Sequence, residues 1–277
     1  MSSKSVVVEL QGGLGNQLFG WAAGYALAKK LNCELMVDTS LLNQRGYQLN
    51  SFEFGSALKV SKRSWRLTST IARFSNRRIF TEESFNFDRK FLEIESPSIL
   101  RGYFQSWKYH REFQEQIYQE VRKLAGTSAE FGELQQKFDF PNLTAIHVRR
   151  GDYKDLEAYH GTMRSSYYRE ALESLSPALF PGEDIVVFSD EPNEAREIMP
   201  NAKAYIGPKD LKSPAENLVL MSTCKNIVGA NSTFSLWAGM IMKSNTSQRV
   251  FPKPWFTNTK MDDSDLLPPE FIRIGHP

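Results

Sequence analysis

The 277-residue chain is 41% hydrophobic and 24% charged, a globular composition with enough apolar content for two ordinary domains or one large one. Its 34 basic and 32 acidic side chains leave a formal net charge of only +2, which gives little general attraction to nucleic acid, and no nucleic acid is expected as a partner. Two cysteines with no CxxC spacing exclude a disulfide framework, and four histidines without a His-x-x-x-His pair argue against a zinc site.

In chain order, MSSKSVVVEL has too short an apolar run for a signal-peptide core, and no later run approaches membrane-spanning length. Cys33 and Cys224 sit in stretches that read as apolar core, so a reducing, cytoplasmic setting is expected, and the sequons at Asn142, Asn231 and Asn245 carry no weight. SVVVEL (5–10) reads as a buried strand, followed by a glycine-rich turn, a helix over 16–32 with a basic last turn, and a strand over 34–40.

Residues 43–80 read as irregular and basic. Within them KVSKRSWRLTSTIARFSNRRIF (59–80) contains no acid. It reads first as a solvated helical face. The second reading is a dock for anionic lipid head groups or a polyanionic glycan, which would give a peripheral membrane contact, and nucleic acid comes last.

SPSILRGYFQS (96–106) is a further strand, and Phe113, Ile117, Val121 and Leu124 form the one-sided stripe of a helix. The polar stretch 125–142 reads as a linker, which divides the chain into α/β domains 1–135 and 136–277. The second half repeats the alternation: strand 143–148, helix 165–175, strand 184–190, helix 192–199, helix 215–224, strand 225–230 and helix 231–242. The expected fold class is therefore α/β, with two Rossmann-like halves of parallel sheet facing a cleft.

In open α/β sheets ligands bind outside the carboxyl ends of the strands. Those ends carry QGGLGNQ, RRGD, SDEP and NSTFS. The first is neither GxGxxG nor a P-loop, yet Gly12, Gly13 and Gly15 let backbone amides crowd a ligand, with Asn16 and Gln17 as side-chain donors. In IHVRRGDY, strand alternation sets His147 in phase with Arg149, which makes Arg149 the candidate anion fork, and Arg150 a loop brace, by pairing with Asp152, or a second contact. Asp190 is a candidate acceptor from a ribose or base, or a helix cap. Asn231, Ser232, Thr233, Phe234 and Ser235 begin a helix, where free amides and hydroxyls suit an anion. The Asp-x-Asp at 263–265 lies in a polar tail, not at a strand end, and is not read as a metal site; Glu93 and Glu95 read as the wet face of a strand.

Together GGLGNQLF with AAGYALAKKL, GYFQS, IHVRRGDY, the pair Tyr167–Tyr168, FSDEP, NIVGANSTFSLWAG and PKPWF resemble the α-1,2-fucosyltransferases of glycosyltransferase family 11, in order and over nearly the whole chain. Gly20, Trp21 and Leu236 depart from the family's pattern, which bears on the choice of acceptor. The resemblance implies a GT-B-like fold and inverting, metal-independent transfer of L-fucose from GDP-β-L-fucose to the 2-hydroxyl of a terminal galactose, with no cofactor. Residues 1–135 would be the acceptor side and 136–277 the GDP-sugar side. Gly13, Gly15, Asn16 and Gln17 would close over the donor or the attacking hydroxyl. Arg149, with Arg150 and the helix starting at Ser232, would meet the leaving phosphate, and His147 and Asp190 would hold the guanosine. Asp152, Glu157 and His160 follow the arginines and are the candidates for taking the acceptor's proton. The alternatives are another GDP-sugar or linkage, or a GDP-sugar- or glycan-binding protein without catalysis.

Overall fold

The computed structural model describes residues 4–42, 46–61, 78–151, 162–175, 184–258 and 261–275. They form two compact units, one of residues 1–125 with 264–267, the other of 126–263 with 268–277.

Unit 1 begins with β1 (Ser5–Glu9), buried at all five positions, as expected of a strand with a parallel neighbour on each side. The helix α1 (Leu14–Lys30), β2 (Glu34–Asp38), a short α2 (Glu53–Ala57), β3 (Lys59–Ser61), β4 (Arg78–Thr81), β5 (Ser98–Arg101) and α3 (Gln114–Val121) follow. The sheet is parallel in the order β3-β2-β1-β5-β4. β3 and β4 are the two ends of the acid-free stretch, so at its described ends that stretch is sheet rather than a helical face; residues 62–77 lie outside the described residues.

α1 lies very close to the sheet because its inner face is glycine at Gly20 and Gly24. A Cβ at Gly24 would stand 2.3 Å from Val8 Cγ2 and 2.8 Å from Leu35 Cδ1. Elsewhere on α1, Trp21 is 1% exposed and stacks on Phe54, with ring centroids 3.8 Å apart. Burying such a ring contributes roughly 2–3 kcal/mol.

Unit 2 begins with α4 (Ala129–Lys137), so the stretch read as a linker is folded. Ser128 caps this helix, its hydroxyl accepting from the Phe131 amide, and is itself held by the buried carboxylate of Glu216. A nine-residue helix with only Phe131 buried gives no periodic signal, which is why the sequence looked featureless there. The 135/136 division falls inside α4. The chain continues through β6 (Thr144–Val148), α5 (Ser165–Leu175), β7 (Ile185–Ser189), α6 (Pro192–Ile198), β8 (Ala204–Ile206), α7 (Pro214–Ser222), β9 (Asn226–Val228), α8 (Thr233–Met240), β10 (Arg249–Lys253) and β11 (Ile272–Gly275).

All six strands of this second sheet are parallel, in the order β11-β10-β9-β6-β7-β8. β6 is central, with Val148 beside Ser189 of β7 and Ile146 beside Val228 of β9, so the carboxyl ends of three neighbouring strands lie side by side. Among the described residues no helix is long and apolar enough to cross a membrane.

Gly24→Ala should destabilise the protein. Alanine gains about 1 kcal/mol of helix propensity, but forcing a methyl group against Val8 and Leu35 costs about 1–3 kcal/mol. The expected result is a lower urea midpoint at unchanged m-value; a higher midpoint would show that α1 can lift off β1 freely.

Candidate active site

β6 ends at Val148, and the next three residues turn out of the sheet around a single carboxylate. Asp190, at the end of neighbouring β7, accepts from the Arg150 amide through Oδ1 and from the Gly151 amide through Oδ2, both at 3.0 Å. The Arg149 guanidinium lies 3.0 Å from the same Oδ2. Gly151 is required by this approach, because a Cβ there would stand 2.7 Å from Asp190 Oδ2. Asp190 was expected at the guanosine end; the structure instead gives both its oxygens to the arginine loop, as acceptors of charge-assisted bonds.

The two arginines diverge. Arg150 donates through Nη2 to the Met163 carbonyl at 3.1 Å, so it ties the loop to the chain entering α5. Arg149 keeps its Asp190 contact with the side chain about a quarter exposed, so the fork combines a fixed orientation with access to solvent. Asp152, Glu157 and His160 lie outside the described residues.

His147 is 3% exposed, with its ring tilted against Phe234 at 5.5 Å between centroids. Its Nδ1 is buried without a hydrogen-bond partner among the described residues. Burial, and then the charge of Arg149, push its pKa down to about 3, so the imidazole is neutral at physiological pH.

The sequence analysis missed what secures the strand ends. Tyr168 and Tyr167, adjacent on α5 and fully buried, donate to the carbonyls of His147 (3.1 Å) and Gly229 (2.6 Å), beneath the ends of β6 and β9. The adjacent pair was visible, but nothing local shows that two tyrosines of one helix reach two different strands.

The start of α8 is divided between structure and exposed donors. Ser235 is fully buried and bonds the carbonyls of Ala230 and Ser232, and buried Asn231 donates to the Trp255 carbonyl at 3.2 Å. These two were expected to face an anion; their polar groups hold the β9–α8 turn instead. Thr233 and Phe234 are partly exposed, and with the Ser232 N-cap they begin the turn whose amides lack intrahelical acceptors.

In unit 1 the glycine loop is braced in a similar way. Gln17 is fully buried; its Nε2 donates to the carbonyls of Gly12 (3.1 Å) and Gly46 (3.0 Å), while its Oε1 accepts from the Gln48 amide (3.0 Å). Both of its amide hydrogens are thereby used, so Gln17 braces the loop and has no donor left for the ligand role expected of it. Asn16 is partly exposed, and its Oδ1 accepts from Gln105 Nε2 at 3.0 Å. Gly13 is the N-cap of α1, and Gly15 is buried in its first turn.

The Asp-x-Asp pair has two separate tasks. Asp263 binds Arg273 and the Trp255 amide, and Asp265 binds Lys108 and the Phe87 amide. Among the described residues no group of three His, Cys, Asp or Glu could hold a metal ion.

Two parallel-sheet α/β units with their polar groups at strand ends define a GT-B-type glycosyltransferase fold. The model of Glycosyl transferase family 11 matches residues 2–274, and the chain belongs to that family. It is 26% identical to an α-1,2-colitosyltransferase of Escherichia coli over 97% of this chain and 98% of the relative. It is equally 26% identical to the O-antigen biosynthesis glycosyltransferase WbnK of Escherichia coli, over 89% of this chain and 93% of that one. In fold it is similar to the fucosyltransferase NodZ from Bradyrhizobium, with a TM-score of 0.54 at 15% identity over 86% of this chain and 93% of NodZ. A crystal of that α-1,6-fucosyltransferase soaked with GDP-fucose gives a TM-score of 0.52.

The neutral state of His147 has a measurable sign. The unfolded chain takes up this proton near pH 6.5, whereas the folded site refuses it until about pH 3, so the folded state loses stability as pH falls through that window. His147→Gln removes the titration. Its stability relative to the wild type should improve from about pH 7 to about pH 4.5 in guanidinium denaturation; a pH-independent difference would show the imidazole to be accessible to protons when folded.

Proposed function

We propose that the protein is an inverting, metal-independent galactoside α-1,2-fucosyltransferase, moving L-fucose from GDP-β-L-fucose to the 2-hydroxyl of a terminal galactose in an oligosaccharide or surface glycan. The observation that carries this reading is the Arg149 fork, held by Asp190 at the carboxyl end of the central strand of unit 2, in a chain of family 11. The α-1,2 linkage in one relative's name supports the linkage, and the fucosyltransferase NodZ, whose crystals were soaked with GDP-fucose, supports the donor.

The chemistry follows from where charge develops. As the bond between the sugar's anomeric carbon and the β-phosphate oxygen lengthens, negative charge collects on the phosphate and positive charge on the ring. An enzyme without a metal must supply oriented donors to the leaving group. Arg149 offers a planar fork that stays charged, and the first-turn amides at Thr233 and Phe234 add partial positive charge. His147 and the Phe234 ring offer a neutral, apolar flank suited to the nucleotide. The acceptor's 2-hydroxyl attacks from the face opposite GDP, converting the β-linked donor into an α-fucoside, and its proton passes to Asp152, Glu157 or His160. Asn16 and the amides around Gly13 and Gly15 are assigned to substrate from unit 1. We also propose a cytoplasmic setting and no nucleic acid as partner, with a peripheral contact to an anionic membrane surface as the secondary reading of residues 59–80, after a solvated face.

A second reading is transfer of colitose at the same linkage, favoured by the α-1,2-colitosyltransferase relative. Mass-detected turnover of GDP-fucose, GDP-colitose and GDP-mannose, with lactose-type and galactosyl-β-1,3 acceptors, separates the two. Turnover of GDP-mannose alone would overturn both, and GDP binding without transfer or donor hydrolysis would indicate a binding protein.

Arg149→Lys keeps the charge and loses the fork. It is expected to lower kcat/KM by about 100-fold or more, with little change in thermal stability. Near-normal turnover would move the phosphate clamp elsewhere.

A further inference from the structure

Glu82 has no part in the mechanism above, yet the carboxyl end of the unit 1 sheet is built around it. It follows β4, and its amide bonds the Arg101 carbonyl at 2.8 Å, so it lies beside the end of β5. Its Oε2 accepts from the amides of Tyr103 and Phe104, each at 2.8 Å. The loop it grips is conformationally costly. Gly102 has φ +153° with its Cα against Glu82, where a Cβ would stand 2.5 Å from the Glu82 Cβ, and buried Phe104 is held at φ +52° without being glycine. The next residue, Gln105, is 7% exposed and donates to Asn16 on α1. β4, β5 and β1 are neighbours, so a single chain of contacts crosses three strand ends, from Glu82 through the 102–105 turn to Asn16.

We propose that Glu82 is a positioning residue for the transfer reaction, fixing the Gly102–Ser106 loop so that Gln105 orients the Asn16 side chain. This rests on the reading of unit 1 as a substrate-binding half.

The clasp should depend on protonation. Burial, opposed by the amides of Phe104 and Tyr103, pushes the Glu82 carboxyl up to about 7. Its buried Oε1 bonds neither loop amide, and the Tyr109 hydroxyl is the side chain that hydrogen-bonds the carboxyl, so a proton can sit on Oε1 while Oε2 keeps both amides. The groups that face it are those two amides and the Tyr109 hydroxyl, with Asp88 beyond Tyr109. Arg101 directs its guanidinium to Glu9, and Glu83 is exposed. Among the described residues, therefore, no cation is placed to offset the carboxylate. The raised value means that the closed loop binds the proton more tightly than an open one, so closure is most favoured below about pH 4.5 and weakens as pH rises from there to about 7.

Glu82→Gln places a carbonyl oxygen at Oε2 and a neutral group at Oε1, mimicking the protonated clasp at every pH; Glu82→Ala removes it. Amide exchange at Tyr103 and Phe104, read as protection factors, should fall in the wild type between about pH 4.5 and about pH 7, stay constant in Glu82→Gln, and be lost in Glu82→Ala. With a competent donor and acceptor, wild-type kcat/KM should decline as pH rises from about 4.5 to about 7, while Glu82→Gln stays level. Gln105→Ala should lower transfer, and adding it to Glu82→Ala should cost nothing more. Unchanged protection in Glu82→Ala, or a Glu82→Gln profile with the same alkaline limb as the wild type, would overturn the proposal. A wild type that transfers no sugar from any GDP-sugar would overturn the functional reading instead, and amide exchange would still decide whether Glu82 holds the loop.

Discussion

The carboxylate of Asp190 is the interaction on which the arginine loop depends. Two adjacent arginines and two exposed backbone amides leave the central strand of unit 2 together, and without a counter-charge they would repel and turn to solvent. Pairing of β6 with β7 brings a carboxylate from forty residues downstream to the one place where it can accept from both amides and steady Arg149. The glycine at 151 follows from the same contact, since any side chain there would collide with the carboxylate. On the proposed reading, the fork is thereby oriented before substrate arrives, and little reorganisation is left for the reaction step.

The supporting interactions share one form. A buried side chain from a neighbouring element bonds the backbone of a loop at a strand end, and it leaves exposed only the group with a task. Tyr167 and Tyr168 do this for β9 and β6, Gln17 for the glycine loop, and Asn231 and Ser235 for the turn into α8. Buried polar groups without partners are expensive, so each such brace resists movement by about 1–3 kcal/mol per group left unsatisfied. Of the partly exposed candidates Gly13, Asn16, Arg149, Arg150, Asp190, Thr233 and Phe234, Arg150 and Asp190 are committed to holding the arginine loop, which leaves a shorter set than the motifs suggest.

The fold was legible where burial is continuous. SVVVEL, LTAIHV and DIVVFSD each gave a strand, because a parallel strand covered on both faces is apolar throughout. Strands β3, β4, β8 and β11 give no such signal: they are edge strands, short and partly exposed. β10 was missed because Pro252 and the tail around it read as loop. Within the site, residue types that favour ligands also favour loop backbone, and the choice is made by partners distant in sequence. Gln17 looked like Asn16 until Gly46 and Gln48 took its amide; Ser235 looked like Thr233 until the Ala230 and Ser232 carbonyls took its hydroxyl. The arginine pair at the end of β6 was readable from the sequence, whereas Asp190 as a loop clamp requires the sheet order.

The Asp-Ser-Asp stretch near the end of the chain has a consequence for taking the protein apart. Asp263 is tied into unit 2 through Arg273, Asp265 is tied into unit 1 through Lys108, and the chain then returns to unit 2 to supply β11. Neither unit is a continuous piece of sequence. A hybrid made by exchanging halves with a relative at residue 125 would separate unit 1 from the four residues it takes from the tail. Recombination of the two units, in the laboratory or in descent, has to carry the matching tail segment with the first.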